Sequence, residues 1–230
     1  MAIEPDSPAL REIALLQGLS AEQLAWVGAR LHRKTFAAGT NLIAAEQPGE
    51  VVYILLSGSV KIHVEQTDGT DVIIAILGAG DIVGEMSLLD SAGRSANVVT
   101  QEESTLLWMD RSAFQECLQT IPAITANLVR TMSRRLRIAN EHIQALATLD
   151  VSGRVARQIL AFAQQYGRPS GGGVLIPIRL TQSDLAGLVG ASRERVNQAI
   201  VDFKQRKYIR VDPNYRITVY NQEALAKRCR

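Results

Sequence analysis

The sequence predicts an α+β fold in three parts, and three observations support that prediction. Residues 34–110 consist of short β-branched runs separated by glycines, and residues 121–146 place apolar side chains at a spacing close to a heptad. Residues 180–200 follow the pattern of a helix-turn-helix. The expected parts are a β-rich domain over residues 1–120, a long helix and hinge over 121–150, and a mixed domain over 151–230.

A segment with helical periodicity precedes the β-rich runs. Its apolar residues recur at helical spacing over residues 9–31, and Ser20 stands where it can cap a helix beginning at Ala21. Turn signals then recur at roughly the 8–12-residue intervals of a compact all-β unit. Among them, the Asp-Gly pair at 68–69 predicts a hairpin turn over residues 67–70. The predicted strands cover residues 40–43, 51–56, 59–64, 71–77, 96–100 and 105–109.

Residues 112–118 predict a short helix, and a long helix begins near Pro122. A stripe of apolar residues runs along the long helix in steps of three and four, close to the heptad of a coiled coil. The stripe could pack on its own domain, but its length and the arginines beside it favour a second copy of the chain as its partner. The stripe consists of Ile121, Ile124, Leu128, Met132, Leu136, Ala139, Ile143 and Leu146, and the arginines are Arg130, Arg134, Arg135 and Arg137.

Polar residues mark the helix ends of the C-terminal domain. Asp150 or Ser152 is placed to cap the helix that follows the hinge. In the helix-turn-helix, Thr181 is placed to cap the first helix and Ser192 to cap the second, while Gly190 is placed to adopt the positive φ of the turn.

The rest of the C-terminal domain predicts short strands around this motif. Residues 168–173 predict a flexible turn, and residues 174–178 predict a strand. Residues 208–211 and 216–219 predict a hairpin like the wing of a winged helix, and residues 224–230 predict a terminal helix.

Charge is distributed unevenly along the chain. Residues 1–120 carry 7 Lys and Arg against 16 Asp and Glu, a net charge of −9, whereas residues 151–230 carry 14 against 5, a net charge of +9. The whole chain has a net charge of only +2. A basic domain on an otherwise acidic chain indicates a polyanionic partner for that domain, and nucleic acid is the leading candidate.

Other features exclude several classes of protein. No run of eighteen apolar residues occurs and the N-terminus lacks the regions of a signal peptide, so we expect a cytoplasmic protein without a membrane partner. Cys117 and Cys229 lie far apart, and the three histidines are scattered, so neither a disulfide nor a metal site is expected. We expect no catalytic residues, because the chain after Asp150 offers no nucleophile, general base or phosphate loop.

Two neighbouring glycine-containing segments supply the polar groups that a cyclic nucleotide needs. In the first, Gly84 precedes Glu85, whose carboxylate can accept a ribose hydroxyl. In the second, Arg94 offers a guanidinium for a phosphate, and Ser95 places a hydroxyl beside it. The alternative is that Glu85 and Arg94 simply pair with each other across a surface turn.

Together with residues 48–62 and 77–83, these segments resemble the cyclic-nucleotide-binding β-roll, and specifically the Crp/Fnr superfamily of bacterial transcription regulators. The resemblance covers the chain from about Ile13 to the C-terminus. It implies a jelly-roll-like β-roll, a long dimerisation helix, a hinge at 149–154 and a winged helix-turn-helix. The implied function is a cyclic-nucleotide-responsive homodimer that binds palindromic promoter DNA and contacts RNA polymerase.

The resemblance also implies roles for the residues of the pocket. Gly84 offers a backbone group to the ribose, Glu85 accepts its 2′-hydroxyl, and Arg94 and Ser95 hold the cyclic phosphate. The base is read from the long helix by Arg135, Ala139 and Asn140. The resemblance favours cAMP as the effector. Because cAMP receptors often carry threonine at the position of Ala139, a hydroxyl contact to adenine is missing here, so cGMP and cyclic di-GMP stay open, as does a regulator of this fold that needs no ligand.

The second helix of the motif carries an exposed face suited to base edges and phosphates. By resemblance, Arg193 and Glu194 read bases, and Gln198 occupies a position where some members carry arginine. The alternative is an ordinary solvated helix face. The DNA-binding residues are predicted to be Thr181, Gln182, Ser192, Arg193, Glu194, Arg195, Asn197 and Gln198, with Lys204, Arg206 and Lys207 as further phosphate contacts.

Overall fold

The computed structural model describes residues 10, 13–67 and 71–229, which form two compact units. The first unit ends at Arg137 and the second begins at Ile138, except that Asp71–Ile73 group with the second. The helices are α1 (Ala21–Gly28), α2 (Met86–Leu89), α3 (Arg111–Thr120), α4 (Pro122–Thr148), α5 (Val151–Tyr166), α6 (Gln182–Val189), α7 (Arg193–Gln205) and α8 (Gln222–Lys227).

Twelve strands are described, in three four-stranded sheets. Their orders along the sheets are β1-β8-β3-β6, β2-β7-β4-β5 and β11-β12-β10-β9. The strands are β1 (His32–Phe36), β2 (Asn41–Ile43), β3 (Val51–Ser57), β4 (Val60–Glu65), β5 (Asp71–Leu77), β6 (Ile82–Val83), β7 (Asn97–Thr100), β8 (Ser104–Asp110), β9 (Arg168–Ser170), β10 (Gly173–Ile176), β11 (Ile209–Val211) and β12 (Ile217–Val219).

The first two sheets enclose one hydrophobic core, and helices cover the outer face of the first sheet with another. Successive side chains of β3 point to opposite faces of the sheet, so the strand contributes to both cores. Leu55 belongs to the cluster between the sheets, and Ile54 belongs to the cluster under the helices. On the helical side, Ile54 packs in the same cluster as Phe114 of α3 and Ile124 of α4. The predicted α+β fold with a β-rich N-terminal part is therefore confirmed.

The long helix is confirmed over Pro122–Thr148, but the predicted stripe is only partly available to a partner. Ile121, Ile124 and Leu128 are buried in the core of the first unit. Leu136 and Ile143, by contrast, are 64% and 65% exposed. The first third of the stripe therefore packs within its own unit, where the prediction had given it to a second chain.

In the second unit, the helices α5 to α8 and the small third sheet all contribute buried side chains. Asp150 caps α5, since its Oδ1 accepts from the Gly153 amide at 2.7 Å. Ile159 of α5, Phe203 of α7 and Leu225 of α8 are fully buried. The strands β11 and β12 form the predicted wing.

Several local predictions need correction. Residues 9–31 are not one helix: a 3₁₀ turn (Ala14–Leu16) and α1 are separated at Gly18, whose φ is +77°. Ser20 does cap α1 as predicted. Residues 168–173 are not a free turn, because β9 pairs with β10 around two glycines at positive φ, and β10 stops before Pro177, which has no amide hydrogen to donate.

The remaining differences concern element ends. The terminal helix begins at Gln222 rather than Ala224 and ends at Lys227, with Asn221 as its cap. The strands β1 and β6 and the short helix α2 were not predicted. The predicted hairpin turn over 67–70 lies outside the described residues except for Thr67.

Candidate functional site

The segment from Gly84 to Ser95 follows β6 and contains the single turn α2. Gly84 has a φ of +87°, and a Cβ placed there would lie 2.7 Å from Nη1 of Arg94. Glycine is thus required at this position both for its backbone conformation and for the close approach of the guanidinium.

Arg94 is buried, with 8% of its surface exposed. Nη1 donates to the Gly84 carbonyl at 2.6 Å and to Oγ of Ser87 at 3.0 Å, and Nη2 donates to the Val51 carbonyl at 2.6 Å. It pairs with no carboxylate of the described residues. Burial lowers the pKa of the guanidinium from its usual value, and the nearby Arg111 lowers it further, while Tyr53 and the carboxylates of Glu85 and Glu50 oppose that fall in part. A buried cation whose hydrogen bonds all go to neutral acceptors is costly, and a directly bound anion would offset that cost.

Glu85 is 2% exposed and forms its ion pair with Arg135 of α4, not with Arg94. Its Oε1 accepts from Nη1 of Arg135 at 2.8 Å, and the other terminal nitrogen of Arg135 donates to the Ile82 carbonyl. The second oxygen, Oε2, is buried and has no hydrogen-bond partner within the part of the chain that the structure describes. Burial raises the pKa of the Glu85 carboxyl, and the charge of Arg135 opposes that rise only in part. The alternative of a surface pair between Glu85 and Arg94 is therefore wrong.

The other predicted pocket residues are exposed. Ser95 lies beside Arg94 at the surface of the first unit. Ala139 and Asn140 are exposed on α4, four and five residues beyond Arg135. Positions four apart on a helix share a face, so Ala139 lies on the side of α4 that carries Arg135.

Two residues near Arg94, Ser87 and Arg111, were not predicted from the sequence. Ser87 supplies its hydroxyl to Arg94, and Nη2 of Arg111 donates to the Ser87 carbonyl at 2.8 Å. Nε of Arg111 also donates to the Gly49 carbonyl at 2.9 Å. A small polar residue in the first turn after Gly84 was the only sequence signal for Ser87, and the separation of Arg111 from Gly49 by 62 positions left no local signal for this contact.

The helix-turn-helix of the second unit has the predicted caps. Oγ1 of Thr181 accepts from the Asp184 amide at 3.1 Å, and Oγ of Ser192 accepts from the Arg195 amide at 3.4 Å. Gly190 adopts the left-handed conformation with a φ of +59°. Because both helices begin and end at fixed positions, their exposed faces are held in a defined orientation to each other.

The helix α7 divides into a buried and an exposed face. Val196 is fully buried, and Ile200 is 5% exposed. Nε2 of Gln182, at the start of α6, donates to Oδ1 of Asn197 at 2.7 Å, which joins the two helices. The exposed predicted residues are Ser192, Arg193, Glu194, Arg195, Asn197 and Gln198, while Thr181 and Gln182 are half-buried.

The three basic residues predicted as further phosphate contacts, Lys204, Arg206 and Lys207, are also exposed. Nε of Arg206 donates to Oδ1 of Asp202 at 2.7 Å, and this hydrogen bond raises the pKa of the guanidinium. Arg206 is thus partly neutralised by its neighbour, unlike Arg193 and Arg195 on the same helix, for which no ion pair is described.

Comparison with known proteins agrees with this arrangement. Residues 33–121 match the cyclic nucleotide-binding domain family, and residues 153–228 match the Crp-like helix-turn-helix domain family. Over 221 residues, the sequence is 36% identical to the CRP-like cAMP-activated global transcriptional regulator of Mycobacterium tuberculosis, covering 96% of this chain and 98% of that protein. The chain belongs to the Crp/Fnr family of transcription regulators.

This Crp/Fnr regulator is also 30% identical over 199 residues to the cyclic AMP receptor protein of Thermus thermophilus, covering 86% of this chain and 89% of that one. The structure of FixK2 from Bradyrhizobium japonicum covers 86% of the chain with a TM-score of 0.74 at 19% identity, which shows a common fold. The family confirms the predicted architecture of β-roll, long helix and C-terminal helix-turn-helix. No helix within the described residues of this Crp/Fnr regulator is long and apolar enough to span a membrane.

Proposed function

We propose that this regulator is a homodimer that binds palindromic promoter DNA in response to cAMP. The observation that carries the proposal is Arg94, a buried guanidinium with no carboxylate partner among the described residues. A cyclic phosphate supplies a directly bonded negative charge and can accept from two N–H groups of the planar guanidinium. Ser95, exposed beside Arg94, adds a hydroxyl to the same phosphate.

The ribose end of the pocket is assigned to Gly84 and Glu85. Oε2 of Glu85 is buried and has no donor in residues 10, 13–67 and 71–229, while Oε1 accepts from Arg135. A ribose 2′-hydroxyl is a donor of the right kind for that oxygen, and burial makes the resulting hydrogen bond worth more than it would be in water. The carboxylate thus distinguishes a ribonucleotide from its 2′-deoxy analogue.

The base end is assigned to Arg135, Ala139 and Asn140 on one stretch of α4. The amide of Asn140 both donates and accepts, so it can bond the edge of a purine. Ala139 supplies no hydroxyl, which leaves discrimination between bases to the other two residues. For this reason cGMP and cyclic di-GMP are alternative effectors, and both are compared with cAMP in the DNA-binding experiment.

Dimerisation is assigned to the exposed part of α4. Val129, Leu136, Ile143 and Leu146 are 59%, 64%, 65% and 44% exposed and advance in steps of seven, seven and three. With Met132 and Ala139 they complete a heptad pattern, which two parallel copies of the helix can bury against each other. In the first unit this stripe borders a groove lined in part by Leu89 and Leu118.

DNA reading is assigned to α7. Arg193 and Glu194 lie at its exposed start, the end of a recognition helix that enters the major groove first. In a two-fold dimer, two such helices read half-sites roughly 34 Å apart, one turn of B-DNA. If the ligand binds more tightly to the arrangement of the dimer that fits DNA, it increases the population of that arrangement and so raises the affinity for DNA. RNA polymerase is the expected partner of the promoter-bound dimer.

The proposal is tested by fluorescence anisotropy of a labelled palindromic promoter fragment, titrated with protein at fixed salt concentration. We expect cAMP to raise DNA affinity by at least about 10-fold, with smaller effects of cGMP and cyclic di-GMP. As a matched variant, Arg193→Ala should lose about 10- to 100-fold in DNA affinity while keeping its affinity for cAMP. DNA affinity that does not change with any of the three nucleotides would contradict the proposal.

Nucleotide binding is also expected to depend on pH. Because burial raises the pKa of Glu85, this carboxyl takes up its proton at a higher pH than an exposed glutamate does. The protonated form loses its charge pair with Arg135 and accepts the 2′-hydroxyl less well. Affinity for cAMP should therefore fall as pH is lowered from about 7.5 to about 5. Calorimetry on Glu85→Gln should show weaker binding with little change over this range; an equally steep pH profile would assign the effect to another group.

A further inference from the structure

The hydroxyl of Ser87 lies against the buried guanidinium of Arg94. Ser87 is 3% exposed, and its Oγ accepts from Nη1 of Arg94 at 3.0 Å. The same oxygen lies 3.5 Å from the Gly84 carbonyl, so its own hydrogen can point there while a lone pair faces Arg94.

The acceptors around Arg94 determine which of its donors remain available. A guanidinium has five N–H groups. Nη1 directs its hydrogens at Gly84 and Ser87, and Nη2 directs one at Val51. Nε–H and the second hydrogen of Nη2 have no acceptor among the described residues. These donors sit on adjacent nitrogens and can serve two oxygens of one phosphate.

Ser87 is itself held in place from the opposite side. Its carbonyl accepts from Arg111, which also binds the Gly49 carbonyl and so ties α2 to the loop before β3. The backbone of this loop packs closely against the Ser87 side chain, since a Cβ at Gly49 would lie 2.3 Å from Oγ of Ser87. The hydroxyl therefore cannot swing away from Arg94 toward this loop.

We infer that Ser87 is a positioning residue that orients Arg94 so that its Nε and Nη2 donors face the phosphate of the effector. The inference rests on the proposed function, since it concerns the same pocket. Ser87 fixes the rotation of the guanidinium plane, and the plane in turn determines which exocyclic phosphate oxygen receives the stronger contact. Without the hydroxyl, the charge of Arg94 remains but its orientation is less restricted.

Calorimetric titration of the full chain and of Ser87→Ala tests the inference, with Ser112→Ala, at an exposed serine of α3, as the matched control. The ligands are cAMP, cGMP and the two phosphorothioate diastereomers of cAMP, which differ only in the exocyclic oxygen replaced by sulfur. For Ser87→Ala we expect cAMP binding about 10-fold weaker and the preference between the diastereomers reduced about 3-fold, the loss expected for one hydrogen bond to a charged group. The ratio of cAMP to cGMP affinity should stay as in the unmodified chain, and Ser112→Ala should match that chain throughout.

The possible results separate the inference from the function on which it rests. If the unmodified chain binds none of the nucleotides, both the proposed function and the inference fail. If it binds them and Ser87→Ala binds as tightly with the same diastereomer preference, only the inference fails. It also fails if Ser87→Ala loses affinity for all four ligands by one common factor together with a large drop in Tm, because that result indicates a purely structural role.

Discussion

Replacing Arg94 with lysine is expected to weaken cAMP binding by at least about 100-fold, the largest effect of any single substitution in the pocket. Lysine keeps the positive charge but has three donors on one point, whereas the guanidinium serves Gly84, Ser87 and Val51 and still has two donors for the phosphate. The substitution therefore loses both the bidentate contact and the fixed orientation. Calorimetry gives the affinity, and the anisotropy assay should show DNA binding that no longer responds to cAMP.

The matched control is Arg137→Lys, which makes the same exchange at an exposed arginine of α4. It should bind cAMP as the unmodified chain does. Because Arg94 is buried, thermal unfolding of Arg94→Lys should be measured alongside, and binding is to be compared well below the lower Tm. If the variant folds and binds cAMP with an affinity within about 3-fold of that of the unmodified chain, Arg94 does not bind the phosphate.

Introducing aspartate at both Leu136 and Ile143 is expected to convert the dimer to a monomer. Both side chains are nearly two-thirds exposed in the single chain, so a carboxylate there costs the isolated chain little. In the proposed dimer the same positions face their copies, and burying like charges against each other is strongly unfavourable. Sedimentation velocity should then show a monomer at micromolar concentration.

Loss of the dimer should also lower the affinity for a palindromic site by about 100-fold or more, because the second half-site no longer benefits from the high effective concentration that a dimer provides. The control variant is Gln144→Asp, which adds the same charge at an exposed polar position of α4 directly beside Ile143. It should stay dimeric. A double variant that remained a dimer would place the interface elsewhere on the molecule.

The stripe on α4 shows why spacing alone could not separate a core from an interface. Ile124 and Leu136 both belong to the run of apolar residues spaced three and four apart, yet Ile124 is 1% exposed and Leu136 is 64% exposed. Both a buried core face and a coiled-coil face need an apolar residue every three or four positions. Which surface covers each residue depends on how other elements, such as β3 and α3, pack against α4. The periodicity of α4 carries no information about that packing.

The pocket shows a similar division. Residue type and order were enough to select Glu85 and Arg94, because few side chains can hold a ribose hydroxyl or a phosphate. The partners were not predicted. Glu85 pairs with Arg135 fifty positions later, and Arg94 donates to Val51 forty-three positions earlier. Backbone carbonyls are present at every residue, so no sequence signal distinguishes the one that a buried arginine will meet.

Local chemistry therefore accounts for the parts of this regulator that were predictable: the succession of β-rich and helical segments, the caps at Thr181 and Ser192, the turn at Gly190, and the contrast between an acidic and a basic half. Each of these depends on neighbours within a few positions or on composition, which the order of residues contains directly. Folding added what depends on distant contacts. Among the described residues these are the burial of Arg94 without a bonded carboxylate, the Glu85 oxygen that has no donor, and the exposed half of the α4 stripe. A side chain becomes buried only when several segments, distant in sequence, pack around it and together exclude water from it. Its neighbours in the sequence do not determine which segments these are.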